Sequence, residues 1–136
     1  MAECLFCNIV NKKVPSVSIY EDKETLAFME LFPSSPGHSM VIHKKHGYSI
    51  LDYTQEELGK IMATTKIIAD KTKKALNCDS ITIGINHFEK RGLPHLHIHL
   101  IPRREDDKGG IIQSVVNNPA KESREVIAEK IRKAKV

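Results

Sequence analysis

Aromatic residues are scarce in this sequence, which has no tryptophan, three tyrosines and four phenylalanines. Proteins that bind single-stranded nucleic acid stack the bases on aromatic side chains, and this composition leaves little material for such a surface. Long apolar runs are lacking as well, because no stretch approaches the roughly 18 apolar residues of a membrane-spanning helix. We therefore expect neither nucleic acid nor a membrane as the partner.

Cysteine is also scarce, and the three that are present form an odd number. The opening stretch MAECLFCNIV lacks the basic region and the following apolar region of a secretory signal. A disulfide framework is therefore not expected, and a reducing compartment, cytoplasmic and also nuclear, is the default. The net charge of +4 is mild and suits an anionic small molecule about as well as nucleic acid, so it does not decide between them.

The length of 136 residues fits one domain, which we expect over 1–136. Short strand-like runs separated by polar turns predict five strands. The predicted strands are 17–20, 25–30, 39–44, 80–86 and 95–103. Because these strands do not alternate with helices, we predict an α+β fold with a mostly antiparallel five-stranded sheet.

One long helix is predicted over 55–77 from apolar residues at helical spacing. Thr54 and Glu57 form a capping box at its start, and Asn77 is a plausible left-handed stop. The positions at that spacing are Leu58, Ile61, Met62, Thr65, Ile68, Ala69, Thr72, Ala75 and Leu76. A shorter C-terminal helix is predicted over about 120–133, with Val126, Ile127 and Ile131 facing inward.

The segment HLHIHLIPR places a histidine at every second position of the last predicted strand. Alternation puts His95, His97 and His99 on one face and the apolar residues between them on the other. Three interpretations fit this face: a merely polar surface, a catalytic metal site, or a nucleophilic histidine with its attendants. Periodicity alone does not separate the last two.

The pair Cys4 and Cys7 in CLFC has the spacing of half a tetrahedral zinc site, for which histidines are the remaining donors. A thioredoxin-like redox pair is an alternative, although that motif should follow a strand and open a helix. Another alternative is that Cys4 and Cys7 are two small apolar residues without a functional role. Cys78, alone beyond the long helix, is expected to be structural.

Taken together, HLHIHLIPR and the segment from CLFC to VIHKKH resemble the histidine-triad (HIT) family of nucleotide-binding proteins and hydrolases, in its zinc-containing, phosphoramidase-like branch. The matching motifs span about 4–104, and the last thirty residues carry none. The resemblance implies a HIT-like fold. It also implies a homodimer in which the two sheets join edge to edge.

The resemblance assigns catalytic roles to three histidines. His97 matches the nucleophile, which attacks the α-phosphorus of a nucleotide conjugate and forms a covalent nucleotidyl-histidine that water hydrolyses. His99 matches the residue that holds the phosphate oxygens, and His38 matches a histidine close to the triad. A structural zinc is implied at Cys4, Cys7, His46 and His95.

The resemblance also implies nucleotide-binding positions. Glu30 stands where the family usually has an aspartate that holds the ribose hydroxyls, and Asn86 matches a residue on the phosphate side. The positions that match an apolar slot for the base are Phe6, Ile9 and Leu31, although each also suits a simple core.

The sequence departs from the family pattern in the loop HFEKRGLP before the triad. This loop is about two residues shorter than usual and lacks the Gln and the Ser or Thr that bind phosphate and help the leaving group depart. Lys90 or Arg91 is expected to offset that loss by charge. His43, where the family more often has proline, and His87 are expected to be surface histidines.

We therefore expect a hydrolase that acts on purine nucleoside phosphoramidates or related conjugates and releases a nucleoside monophosphate. A dinucleoside polyphosphate hydrolase is the nearest alternative. A nucleotide-binding or interaction module with weak turnover is another, motivated by the altered loop. A catalytic metalloenzyme is a third.

Overall fold

The computed structural model describes residues 4–136, so residues 1–3 of the predicted domain lie outside the described part. The described residues form three helices and five strands. In order they are α1 (Leu5–Val10), β1 (Ser18–Glu21), β2 (Thr25–Met29), β3 (Ser39–His43), α2 (Gln55–Leu76), β4 (Ser80–Gly84), β5 (His97–Arg103) and α3 (Arg124–Lys133). Two short 3-10 turns lie at Ile50–Asp52 and Ile112–Ser114.

The five strands form a single sheet in the order β1-β2-β3-β5-β4, and every neighbouring pair is antiparallel. This architecture confirms the predicted α+β class and antiparallel sheet. β3 pairs with the histidine strand β5, with Met40 opposite His99 and Ile42 opposite His97. Because directly opposed residues share a face of the sheet, those two histidines face the same way as these apolar residues.

Helix α2 covers one face of the sheet. It begins with the predicted capping box at Thr54 and Glu57 and ends at Asn77, whose φ of 48° is left-handed. Its buried side includes Ile61 and Ile68, which join Val41 in the larger core cluster. These buried contacts contribute most of the stability of α2, because a helix of this kind is stabilised mainly by tertiary packing.

Three positions of the predicted apolar face of α2, which are Met62, Ala75 and Leu76, are exposed. Met62 is 57% exposed and Leu76 is 38% exposed, whereas Thr64 is buried. The hydroxyl of Thr64 lies 2.6 Å from that of Thr25 on β2, which satisfies both groups. A polar pair that is satisfied across an interface can be buried at little cost, and residue type alone does not reveal it.

The opposite face of the sheet is partly covered by the short helix α1, which the sequence pattern did not predict. The Cys4 sulfur accepts a hydrogen bond from the amide of Cys7 and caps this helix. Phe6, only 2% exposed, packs with Phe28 and Met40 in a second core cluster. The His97 side of this face therefore lies beside an apolar wall built by α1.

Two histidine predictions were wrong. His43 is buried at 5% exposure, because on β3 it pairs with Thr25 and so faces α2. Its Nδ1 accepts from the amide of Lys45 at 2.9 Å, and its ring packs against Tyr53. His87 is half-buried, and its Nε2 accepts from the amide of Ile50 at 3.0 Å.

The predicted orientation of the C-terminal helix was also wrong. In α3, Val126 is 47% exposed and Ile131 is 70% exposed, and none of the helix's side chains is buried. Apolar residues do recur at helical spacing in α3, but within residues 4–136 no surface buries them. Among residues 4–136, no helix is long and apolar enough to cross a membrane.

Candidate active site and metal centre

Strand β5 separates its side chains as the alternation predicts. Ile98 and Leu100 enter the core beneath α2, while His97 and His99 lie half-buried on the opposite face. His95 is different, because it lies just before the strand and is fully buried. The three histidines therefore occupy three environments, which argues against a merely polar outer face.

One ring nitrogen of His97 is engaged in a hydrogen bond, and the other has no hydrogen-bond partner among residues 4–136. Its Nδ1 lies 2.7 Å from the carbonyl oxygen of His95. Because a carbonyl only accepts, Nδ1 carries the proton, and the lone pair of the neutral ring is on Nε2. The edge of Phe6 contacts the ring, with the centroids 5.1 Å apart, and restricts its orientation. An oriented imidazole with a free nitrogen is suited to nucleophilic attack.

His38 and His99 form a hydrogen-bonded pair with assigned tautomers. Nδ1 of His38 accepts from the amide of Ser34 at 3.1 Å, so the proton of His38 is on Nε2. That proton is donated to Nδ1 of His99, 2.9 Å away. The proton of neutral His99 is consequently on Nε2, from which it can be donated to a ligand.

The loop between β2 and β3 places His38 for this contact. The amide of Glu30 donates to the carbonyl of His38 at 3.0 Å and closes the loop. Gly37 has a φ of +91°, and an added Cβ would lie 2.2 Å from a methyl carbon of Leu76. The positive φ favours glycine at this position, and a larger residue would also require the side chain of Leu76 to move.

Both histidines of the pair are neutral at pH 7. Burial lowers the pKa of His38, and the carboxylate of Glu30 opposes the shift. Burial also lowers the pKa of His99 to about 4, and the neighbouring His97 and His38 contribute in the same direction. The pair is thus a neutral hydrogen-bond donor system in the free protein.

Glu30, His38 and His99 bring their polar atoms within 4.8 Å of one another, as a metal site would. The hydrogen bond from Ser34 argues against that use. It occupies the Nδ1 lone pair of His38, so Nε2 keeps its proton and has no lone pair for a metal. This group is better described as a hydrogen-bonded cluster.

A second group of four residues has the chemistry of a zinc site. Cys4, Cys7, His46 and His95 bring their donor atoms within 4.8 Å of one another. The Cys7 sulfur lies 3.3 Å from Nδ1 of His46 and 3.6 Å from Nδ1 of His95, and the Cys4 sulfur lies 3.5 Å from the latter. In a tetrahedron with zinc–ligand distances of about 2.0–2.3 Å, sulfur and nitrogen are about 3.5 Å apart, so the residues fit.

The electrostatics of this group also suit a cation. Burial raises the pKa of the Cys7 thiol to about 11, and the adjacent Cys4 adds to the effect. Burial lowers the pKa of His95 to about 4. Its Nε2 contacts the carbonyl of His43 at 2.8 Å, so Nε2 carries the proton and Nδ1 offers its lone pair to the cysteines. A bound dication would stabilise the thiolates that the site otherwise disfavours.

An apolar cleft of about 510 Å³ opens beside His97. The predicted base-slot residues Phe6, Ile9 and Leu31 line it, and Glu30 does as well. Asn86 does not line this cleft, but borders a smaller depression shared with His97. The structure therefore brings most of the sequence-predicted site residues to one place, with Asn86 on a different side of His97.

Phe32 and Leu93 are among the cleft residues that sequence reasoning missed. Phe32, 83% exposed, and Leu93 both line its wall. An apolar pair directly after Glu30, in an otherwise polar and proline-rich loop, was the available signal for Phe32. Leu93 lies in the altered loop before the triad, for which the sequence-based interpretation concerned the missing polar residues.

The HIT domain family matches residues 11–106. The chain belongs to the HIT family. Its HIT relatives include the adenosine 5′-monophosphoramidase of Saccharomyces cerevisiae, which is 35% identical over 124 residues, or 90% of this chain and 73% of the relative.

Solved HIT structures resemble this one closely. A HIT family member from Bacillus subtilis superposes with a TM-score of 0.84 at 27% identity and covers 98% of each chain, the C-terminal helix region included. A zinc-bound histidine triad family protein from Mycobacterium smegmatis gives a TM-score of 0.73 at 33% identity over 78% of each chain. The HIT fold is thus shown, and the relatives support nucleotide hydrolysis as the general activity.

Proposed function

We propose that this HIT protein hydrolyses purine nucleoside phosphoramidates or related nucleotide conjugates at the α-phosphorus. The observation that carries the proposal is the hydrogen bond from His97 Nδ1 to the carbonyl of His95, which leaves Nε2 free at the end of an apolar cleft. The name of the yeast relative, a monophosphoramidase, supports the substrate class.

In the proposed reaction, Nε2 of His97 attacks the α-phosphorus, and the bond between phosphorus and the amine nitrogen breaks. The amine takes a proton from solvent as it leaves. Water then attacks the nucleotidyl-histidine, returns a proton to solvent and restores His97, so one water is consumed and one amine and one nucleoside monophosphate are released. His99 donates from Nε2 to the phosphate oxygens, where positioning and electrostatic support contribute most of the catalysis.

The nucleotide lies in the apolar cleft in this proposal. Phe6, Ile9 and Leu31 contact the base, and the carboxylate of Glu30 accepts hydrogen bonds from the ribose hydroxyls. Asn86 approaches the phosphate from the other side of His97, in keeping with its place at the smaller depression. An apolar wall with one carboxylate near its end suits a nucleoside, in which a flat base is joined to a sugar that carries hydroxyl groups.

Zinc has a structural role in this proposal and is held by Cys4, Cys7, His46 and His95. A closed set of four protein ligands leaves no position for substrate. His95 connects the two sites, because its ring belongs to the metal set while its carbonyl orients His97. Fixing the ring of His95 therefore fixes the hydrogen-bond acceptor of the nucleophile.

We further propose a homodimer in which two sheets join along β4. This strand lies at one edge of the sheet, beside β5. Ile83 and Ile85 in and after it are 40% and 37% exposed, which is unfavourable for an edge left in water. Measurement of the mass in solution tests the dimer directly.

One experiment tests the activity. The wild type, His97→Ala and Cys4→Ala are each incubated with adenosine 5′-phosphoramidate and with a diadenosine polyphosphate, and release of AMP is followed. We expect turnover that His97→Ala abolishes and that Cys4→Ala only reduces. Binding without turnover by the wild type would instead indicate a binding module.

Cleavage of diadenosine polyphosphate in preference to the phosphoramidate would indicate the second candidate activity. Lys90 and Arg91, both exposed in the short loop before the triad, favour it, because they supply positive charge near the leaving-group side. Immediate loss of activity on chelation, with the fold intact, would show that zinc is catalytic and contradict its structural role.

A further inference from the structure

The carboxylate of Glu30 lies beside the His38–His99 pair rather than pointing freely into the cleft. Its Oε2 is 4.0 Å from Nδ1 of His99, and both side chains are only 17% exposed. Among the described residues, no lysine or arginine forms an ion pair with Glu30. Within residues 4–136, the group placed to become its counter-ion is therefore the histidine pair.

The position of this carboxylate is fixed by its own loop. Oε1 of Glu30 accepts from the amide of Phe32 at 3.3 Å. The backbone amide of Glu30 donates to the carbonyl of His38 at 3.0 Å, which ties the two residues together at the neck of the loop. Glu30 is thus held against His38 and His99 before any ligand arrives.

This arrangement creates a charge problem for an anionic ligand. A phosphate placed against His97 and His99 would lie next to the negative carboxylate of Glu30, with the neutral His38–His99 pair between them. Like charges at such spacing in a partly buried site oppose each other, and the usual response is uptake of a proton. The titratable groups that face His99 are His97 on the same strand, with His38 and Glu30 from the loop.

We propose that Glu30 is the counter-charge that lets the His38–His99 pair take up one proton from solvent when an anionic phosphate binds. In the protonated pair, His99 donates from Nε2 to the phosphate, while its Nδ1–H and the Nε2–H of His38 turn to the carboxylate of Glu30. This inference rests on the phosphate site of the proposed function. It gives Glu30 a positioning role in addition to any contact with ribose.

The side-chain length of Glu30 matters in this role. An aspartate at this position would withdraw the carboxylate by about one carbon–carbon bond, 1.5 Å. It could still approach a ribose, but it would lie farther from the histidine pair. Glu30→Asp therefore separates the two roles, whereas Glu30→Gln removes the charge and keeps the shape.

The test is calorimetric titration with the methyl ester of AMP at pH 7, in two buffers of different ionisation enthalpy. The phosphate of this ester carries one charge and does not titrate near pH 7, so any proton taken up belongs to the protein. We expect the wild type to take up close to one proton per bound ester. Glu30→Gln and His99→Asn should take up less than about a third of that, and Glu30→Asp less than the wild type.

Glu56→Gln is the matched control, since Glu56 is exposed in the first turn of α2, and it should match the wild type. Equal proton uptake by Glu30→Gln and the wild type, or none by the wild type, would overturn the inference. Failure of the wild type to hydrolyse any conjugate, with Glu30-dependent uptake intact, would refute the proposed function alone. Absence of ester binding by the wild type would overturn both.

Discussion

Removal of His38 should reduce catalysis by acting through His99. In the native site His38 fixes the tautomer of His99 by donating to its Nδ1 at 2.9 Å. In His38→Ala that donor is lost, and the proton of His99 can move to Nδ1, beside the carboxylate of Glu30. Donation from Nε2 to the phosphate then requires His99 to take up a proton without the help of His38, so support of the transition state is weakened.

The size of the effect follows from what is removed. A hydrogen bond to a charged group contributes about 1.5–3 kcal/mol. At about 1.4 kcal/mol per factor of ten, kcat/KM for adenosine 5′-phosphoramidate should fall by about 10- to 150-fold. His99→Ala removes the same interaction, so it should cost a similar factor. The double variant should be no slower than His99→Ala, because His38 has no other route to the substrate.

Steady-state kinetics of the two single variants and the double variant measure this coupling. Thermal unfolding of each variant serves as the control, because His38 is 4% exposed and its truncation also leaves a small cavity. His38→Asn, which keeps an N–H donor, should recover part of the activity. Losses that multiply in the double variant would refute the reasoning, since they would give His38 an independent role.

Three further predictions concern the metal, the core and pH. The wild type should bind one zinc per chain, and Cys7→Ala should lose the zinc and unfold at a lower temperature. If metal analysis finds the same zinc content in Cys7→Ala as in the wild type, the proposed site is wrong. Thr64→Val removes the hydrogen bond to the buried hydroxyl of Thr25, which also bonds the carboxylate of Asp22, and should lower the free energy of unfolding by about 0.5–1.5 kcal/mol in urea denaturation. Thr25→Val/Thr64→Val should lose less than the sum of the two single variants, and additive losses would count against the pair. Because the pKa of His99 is about 4 in the folded protein, against an ordinary value of 6.5, the unfolded chain binds more protons between these values, so stability should fall as the pH drops from 6.5 towards 4. His99→Asn should show a shallower decline in denaturation experiments at pH 7 and pH 5, and an unchanged slope would exclude His99 as its source.

The features that could be predicted from sequence are those that follow from local periodicity. Alternation in 95–103 predicted which residues of β5 enter the core, and Thr54 with Glu57 predicted where α2 begins. The four candidate metal ligands and the triad were predicted through the resemblance to the family. The structure adds that the donor atoms of Cys4, Cys7, His46 and His95 lie within 4.8 Å of one another.

The features that could not be predicted depend on tertiary contacts. His43 is polar and was expected at the surface, yet its strand position forces it beneath α2 beside Tyr53. α1 is too short to show helical periodicity, and it forms because Phe6 is buried against the sheet. The apolar residues of α3 predicted an inward face, but none of the side chains of this helix is buried in the structure of residues 4–136. Burial requires a second surface that packs against the helix.

The contact between the first helix and the histidine strand has a consequence for folding of the nascent chain. Cys4 meets His95, 91 residues later in the chain, and Phe6 packs against the ring of His97. Residues 4–7 are therefore synthesised long before the partners that hold them. Until β5 leaves the ribosome, α1 can contact only the earlier strands through Phe28 and Met40, and the acceptor of His97 is not yet in position. Closing so long a loop is entropically costly, so a metal ion that links its ends would stabilise the fold much as a long-range disulfide does, by about 4–5 kcal/mol on the loop-closure estimate.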